Sequence, residues 1–193
     1  MIRKIFNFQF SIFNSTRGFT ILESLFAIFI LSMVIAGVFT VVQQNLSQSI
    51  IAKDEVKAFY LAQEAIEVVR NIRDSNQLIK YNNNLNNFWL NGITTGTGSC
   101  GFDTYCIIDS TSMSLTTTGC SESNFDWQCA PPLRQSEGYQ IGYNESWQAT
   151  NFKRVIKIKE INSVEILVTV RIMWTKGFTT KEFTADTILF NWI

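Results

Sequence analysis

The segment of this chain that combines most directly into chemistry is Arg17-Gly18-Phe19-Thr20-Ile21-Leu22-Glu23-Ser24. Gly18 has no side chain, so the backbone there can enter a tight protease cleft. Glu23 is a lone carboxylate at the head of a stretch, Ser24 to Ala52, that carries no charge at all. A carboxylate in hydrocarbon costs about 2.5–3.5 kcal/mol on insertion scales, so Glu23 is expected to have a cationic partner.

Cys100, Cys106, Cys120 and Cys129 form the second group, all within one thirty-residue stretch. An even count so clustered suits two disulfides in an oxidising compartment. The C-x5-C and C-x8-C spacings are not those of a zinc site, where C-x2-4-C is usual. Four cysteines permit three connectivities. If residues 104–109 pair with 113–118 through a turn at Ser110 to Ser112, Cys100 comes opposite Cys120 and Cys106 is left for Cys129.

The chain contains no histidine, which removes the commonest general base, the usual serine and cysteine triads and most catalytic metal sites. A membrane-anchored enzyme would need a Ser-Lys or paired-carboxylate site, and no spacing here points to one. No catalytic residue, cofactor or metal is therefore expected. Sixteen basic and sixteen acidic residues cancel, so no overall field recruits a nucleic acid.

These groups must be positioned by a small number of elements, since 193 residues make about one domain. Residues 1–18 carry Arg3, Lys4 and Arg17 and no acid, a short basic leader. Leu25 to Val42 is apolar apart from Ser32 and Thr40, long enough for a membrane helix. A secretory signal would instead place a short apolar region before an A-x-A-like site. Basic residues ahead of the span put the N-terminus in the cytoplasm and the bulk outside, where disulfides form.

Val56, Phe59, Ala62, Ile66, Val69 and Ile72 continue at helical spacing, with charged residues off that stripe. One helix of about 55 residues, roughly 80 Å, is expected from Phe19 to Asp74, ending at Asp74-Ser75-Asn76. Its first part, 19–52, is the membrane and assembly segment, and 53–76 is its amphipathic half. Residues 82–99 read as a polar loop pinned by Phe88 and Trp89, and 119–138 as irregular and cross-linked. Ile156 and Ile158, then Val164 to Trp174, alternate at period two, and Phe178 to Trp192 makes a third run. Turn signals at Asn162-Ser163 and Lys176-Gly177 make this an antiparallel meander, packed by one face on the amphipathic helix. The domain so defined spans 77–193, with a disulfide-linked loop at 100–129.

The segment Arg17 to Ser24 resembles the class III signal of type IV prepilins and type II secretion pseudopilins. The resemblance implies that a membrane aspartyl peptidase cuts Gly18–Phe19, that Phe19 becomes the methylated first residue, and that Glu23 meets the amine of an adjacent subunit during assembly. It implies an α+β pilin-like fold, other pilin subunits as partners, and a cytoplasmic ATPase with a membrane platform protein. Ala58 to Arg70 is similar to the helix of minor pilins. Many major pilins carry a proline where this chain has Thr40, with Gly37 nearby, so a minor pilin or pseudopilin fits at least as well. Their single disulfide near the C-terminus also differs from this mid-domain group. Removing residues 1–18 leaves thirteen basic against sixteen acidic residues, a net −3. The rival reading is an uncleaved single-pass anchor bearing a binding module, with Glu23 solvated at headgroup level.

Weaker signals are the acceptor triplets Asn45-Leu46-Ser47 and Asn144-Glu145-Ser146 for N-glycosylation. Asp103, Asp109, Glu122 and Asp126 could gather around calcium, though solvated loop acids are the commoner case. Trp127, Tyr139, Tyr143 and Trp147 could form a patch for a partner or a glycan, though aromatics more often anchor cores and loops.

Overall fold

The computed structural model describes residues 18–83, 89–96, 100–118, 120, 126–177 and 179–191. It divides into two compact units, the first ending at Ser49 and the second running from Ile50 to Ile193. A single helix, α1, Ile21–Asn83, contributes to both.

In the first unit the side chains from Leu25 to Ser49 are exposed, as the apolar run Leu25, Phe26, Ile28, Phe29, Ile30 and Leu31 shows. The hydroxyls within it do not need water. Ser32 Oγ donates to the Ile28 carbonyl at 2.7 Å and Thr40 Oγ1 to Ala36 at 3.0 Å, so each polar group is satisfied inside its own helix. Such internal pairing is the condition for a polar side chain to sit in hydrocarbon, and the helix is long and apolar enough to cross a membrane.

The second unit is a helix on a seven-stranded sheet. Its strands are β1 (Tyr105–Asp109), β2 (Ser114–Thr117), β3 (Pro132–Gln135), β4 (Ile141–Gly142), β5 (Gln148–Asn162), β6 (Glu165–Lys176) and β7 (Thr179–Phe190). All pairings are antiparallel: β5 pairs β1, β3 and β6, and β6 pairs β7 in unbroken register from Glu165↔Phe190 to Lys176↔Thr179. The alternation seen in the sequence fixes that register. Ile166, Val168, Val170, Ile172 and Trp174 are all buried on one face, each contributing about 1.5–3 kcal/mol, and a one-residue slip would expose every one of them.

Helix residues close that core, but on a stripe rotated from the expected one. Ala58, Leu61, Ala62, Ala65, Val68 and Val69 are buried, whereas Val56 and Phe59 are half exposed and Ile66 and Ile72 partly covered. The alanines explain the rotation: with three small side chains the backbone approaches the sheet closely, and the larger Phe59 is displaced to the flank, edge-on to Phe183.

The helix also outruns its expected end at Asp74-Ser75-Asn76 by a further seven residues, to Asn83. Asn76 and Gln77 are buried rather than terminal. Asn76 Nδ2 donates to the carbonyls of Trp89 (3.2 Å) and Asn91 (2.6 Å), and Gln77 Nε2 to Asn191 Oδ1 (2.7 Å). Tertiary partners take up the Asn76 amide, whose local preference is to end a helix, and the Gln77 amide nitrogen, while Gln77 Oε1 is buried with no hydrogen-bond partner among the described residues. Trp89 is buried as the pin of the following loop; Phe88 lies outside the described residues.

The stretch expected to be irregular contains β3 and a 3-10 turn at Trp127–Cys129, capped by the Asp126 side chain. Pro132 is tolerated in β3 because it opens the strand beside a register shift. The hairpin of β1 and β2 forms as expected, but the disulfides it was taken to dictate do not. Cys100 bonds Cys106, and Cys120 bonds Cys129. The expected Cys100–Cys120 and Cys106–Cys129 pairing fails because Cys106 is inside β1, opposite Thr117, while the turn at Gly101 to Thr104 folds Cys100 back to within 5.8 Å of it, Cα to Cα.

Candidate functional site: the processing and assembly segment

Gly18, Phe19 and Thr20 precede the helix without regular structure, and α1 begins at Ile21. Phe19 is therefore not on the helix, contrary to the expectation that placed it there. Thr20 caps the first turn: its Oγ1 accepts the Glu23 backbone N–H at 3.3 Å, and its carbonyl accepts Ser24 N at 3.1 Å. Thr20-Ile21-Leu22-Glu23 has the T-x-x-E form of a capping box, a signal present in the sequence and not read from it. Glu23 is the one acid of the first turn, where the helix dipole favours negative charge.

This geometry presents an exposed, non-helical Gly18–Phe19 bond immediately ahead of a rigid helix. Phe19 is 73% exposed, and nothing lies within 4 Å of where a Cβ on Gly18 would stand. A peptidase binds its substrate extended, so the bond needs no unwinding to be reached. Glu23 then stands a short reach from whatever amine cleavage would create.

The remaining candidates are dispersed. Trp127 packs against Tyr105, Cys120, Ala130 and Val155 with the Arg171 guanidinium 5.4 Å above its ring, and Tyr143 packs against the core with its hydroxyl donating to the Arg154 carbonyl at 3.2 Å. Only Tyr139 and Trp147 line a common groove. Asp103 pairs with Lys157 (3.4 Å), Asp109 accepts from Thr111, Asp126 caps its 3-10 turn, and Glu122 lies outside the described residues. No group of three potential metal ligands occurs among the described residues. Asn45 is within α1; Asn144 is in an exposed loop, its side chain accepting from Ser146.

Arg154 escaped the sequence reading entirely. It is fully buried on β5, with Nη1 donating to the Leu61 carbonyl (3.1 Å) and to Glu64 (3.3 Å) and Nη2 to the Ile108 carbonyl (2.7 Å). One guanidinium thus ties α1, β5 and β1 together. Beside it, burial pushes the Tyr143 hydroxyl pKa upward against the opposing pull of Arg154. On the other side of the sheet, the hydrogen bond to Glu182 raises Arg171 above its ordinary range.

With an apolar helix preceded by a non-helical Gly-Phe bond and followed by an antiparallel sheet, the architecture is that of a pilin-like α+β protein. Residues 13–39 match the family model of the prokaryotic N-terminal methylation motif, the class III prepilin signal characteristic of type IV pilins and pseudopilins. The motif covers only the start of the chain; it implies a precursor of the type IV pilin-like or pseudopilin kind, and the apolar helix behind it fits membrane anchoring. No curated protein and no solved structure matches it.

Proposed function

We propose that this chain is a structural subunit, a minor pilin or pseudopilin, of a type IV pilus-like filament. The precursor sits in the cytoplasmic membrane with residues 1–18 inside and the sheet domain outside. A prepilin peptidase cuts Gly18–Phe19 and methylates Phe19. A platform protein and its ATPase then move the subunit into a helical polymer of pilins.

One observation carries the reading: a capped apolar helix starts two residues after the Gly18–Phe19 bond and stays uncovered through Ile50, except for partial cover at Ser24. A surface of that size and polarity needs either lipid or other helices. On assembly the helices exchange one for the other, with Ala27, Ser32, Ala36 and Gly37 allowing close approach. Glu23 meets the Phe19 amine of a neighbour, removing two charges from hydrocarbon at once, though desolvation cancels part of the gain.

Intact mass and N-terminal sequencing of membrane-extracted protein test this directly. A chain beginning at methylated phenylalanine is expected. A chain still beginning at Met1 would end the proposal in favour of an uncleaved anchor.

A further inference from the structure

We propose that the groove between the β3–β4 turn and the β4–β5 loop binds an uncharged carbohydrate. The inference goes beyond filament assembly and does not depend on it.

The groove is open, about 750 Å³, and two aromatic side chains stand in it. Trp147 is half-buried and fixed: its ring packs where Gly142 has no side chain, since a Cβ there would lie 3.3 Å from Trp147 Cζ3. Tyr139 is the opposite, 82% exposed on a backbone at φ 62, a left-handed conformation that a tyrosine rarely adopts. Strain of that kind costs on the order of 1 kcal/mol and persists only where the surroundings impose it. Here they do. Tyr139 N donates to the Ser136 carbonyl (3.1 Å), Ser136 N to the Gln140 carbonyl (2.9 Å) and Gln140 N to Ser136 Oγ (3.0 Å). The Trp147 loop is held as firmly, by Arg134 Nη1 bridging the carbonyls of Glu145 and Trp147 at 3.0 Å each.

Two amides line the same groove. Gln135 on β3 and Gln148 on β5 are cross-strand neighbours, both line the groove, and neither side chain has a hydrogen-bond partner among the described residues. Each offers an acceptor and two donors side by side, a match for adjacent hydroxyls on one sugar ring. The aromatic faces suit the apolar C–H face of the same ring, being both flat and amphipathic.

Charge narrows the ligand. Glu137 is the one ionisable acid lining the groove, no lysine or arginine lines it, and Arg134 Nη1 is committed to backbone carbonyls. A phosphate, sulfate or sialic acid would find no cation there and one repelling carboxylate. The wall-less shape admits a chain of sugars passing through rather than an enclosed monomer. Tyr139 also borders a second recess, lined by Glu64, Ser110, Thr111, Gln140 and Ile141, which lengthens the track and adds a second carboxylate but no cation.

The test uses the full chain in a detergent without a sugar headgroup. It is applied to an array of neutral oligosaccharides of glucose, galactose, mannose and N-acetylhexosamines beside sialylated and sulfated ones. Bound neutral sugars are then titrated by tryptophan fluorescence. Two variants accompany it, Tyr139→Gly, which relieves the backbone rather than unfolding it, and Gln148→Ala on an exposed position. The expected result is retention of a neutral glycan, weakened about tenfold or more in both variants while neither melting temperature falls. Retention of no neutral glycan, retention of anionic glycans alone, or undiminished binding by either variant overturns the proposal.

Discussion

Arg154 Nη1 donates to the Leu61 carbonyl at 3.1 Å, joining two residues 93 positions apart in a site from which water is excluded. The carbonyl belongs to the helix and the guanidinium to the central strand, so this contact fixes how the two layers meet. Its Nε has no partner, so the arrangement is not a fully satisfied one.

Truncating that arginine removes the donor from two buried carbonyls and a carboxylate at once. Arg154→Ala should lower unfolding free energy by about 3–5 kcal/mol, and Arg154→Met by clearly less, because an apolar chain fills the volume without a charge to desolvate. Urea denaturation followed by tryptophan fluorescence measures both. Equal losses for the two variants would show that the guanidinium's hydrogen bonds, and not the volume it fills, matter there.

The disulfide pattern is open to a chemical check that needs no structure. Cyanogen bromide cuts after methionine, and Met113 lies between Cys106 and Cys120. With Cys100–Cys106 and Cys120–Cys129 bonded, fragments 34–113 and 114–173 should separate on a non-reducing gel. Had the bonds run across the hairpin, the fragments would stay joined until reduced. Each short loop should stabilise the fold by about 2 kcal/mol, as loop-closure entropy scales.

Tyr143 links stability to alkaline pH. Burial raises its pKa in the folded state, so the unfolded chain loses this proton first. The stability it contributes is complete below about pH 10 and is lost as pH climbs through the higher folded value. Tyr143→Phe should flatten this part of the pH profile; a wild-type curve that rises between pH 10 and 11 would contradict the assignment.

Glu23 and Thr20 should separate assembly from folding. Glu23→Ala is expected to leave cleavage of the precursor intact while reducing its recovery in sheared filament fractions. Thr20→Ala should cost about 1 kcal/mol of first-turn stability and fray the helix start, with the sheet domain unaffected. Immunoblots of the two fractions read the first effect and amide exchange reads the second.

Gly142→Ala would bring a methyl carbon within 3.1 Å of Asp109 Oδ1 and 3.2 Å of Thr111 Cγ2. Neither neighbour has room to yield without disturbing the β1–β2 turn. A loss of about 1–3 kcal/mol is expected in thermal melts.

What could be seen from the sequence was whatever depends on local periodicity. The alternation from Val164 to Trp174 put five of its six side chains inside, Val164 staying exposed in the turn, since a strand has only two faces to choose between. A helix has many, and there the spacing of Val56 and Phe59 misled: burial followed the small residues Ala58, Ala62 and Ala65, which matter through close approach rather than hydrophobicity. Asn76 looked like a helix end because its partners, the carbonyls of Trp89 and Asn91, are brought there by tertiary folding. Arg154 was invisible for the same reason: beside Lys153 in a strand it reads as a solvated cation, and only the approach of Leu61 and Ile108 turns it inward. The leader junction was legible because it is a linear motif, yet its Thr20 cap passed unnoticed inside it.

Both sulfur pairs close between nearest neighbours along the chain, Cys100 with Cys106 and Cys120 with Cys129. Oxidised in order from the N-terminus, each thiol would meet its native partner first. A pattern of that kind asks for an oxidant but for no exchange of wrongly joined bonds.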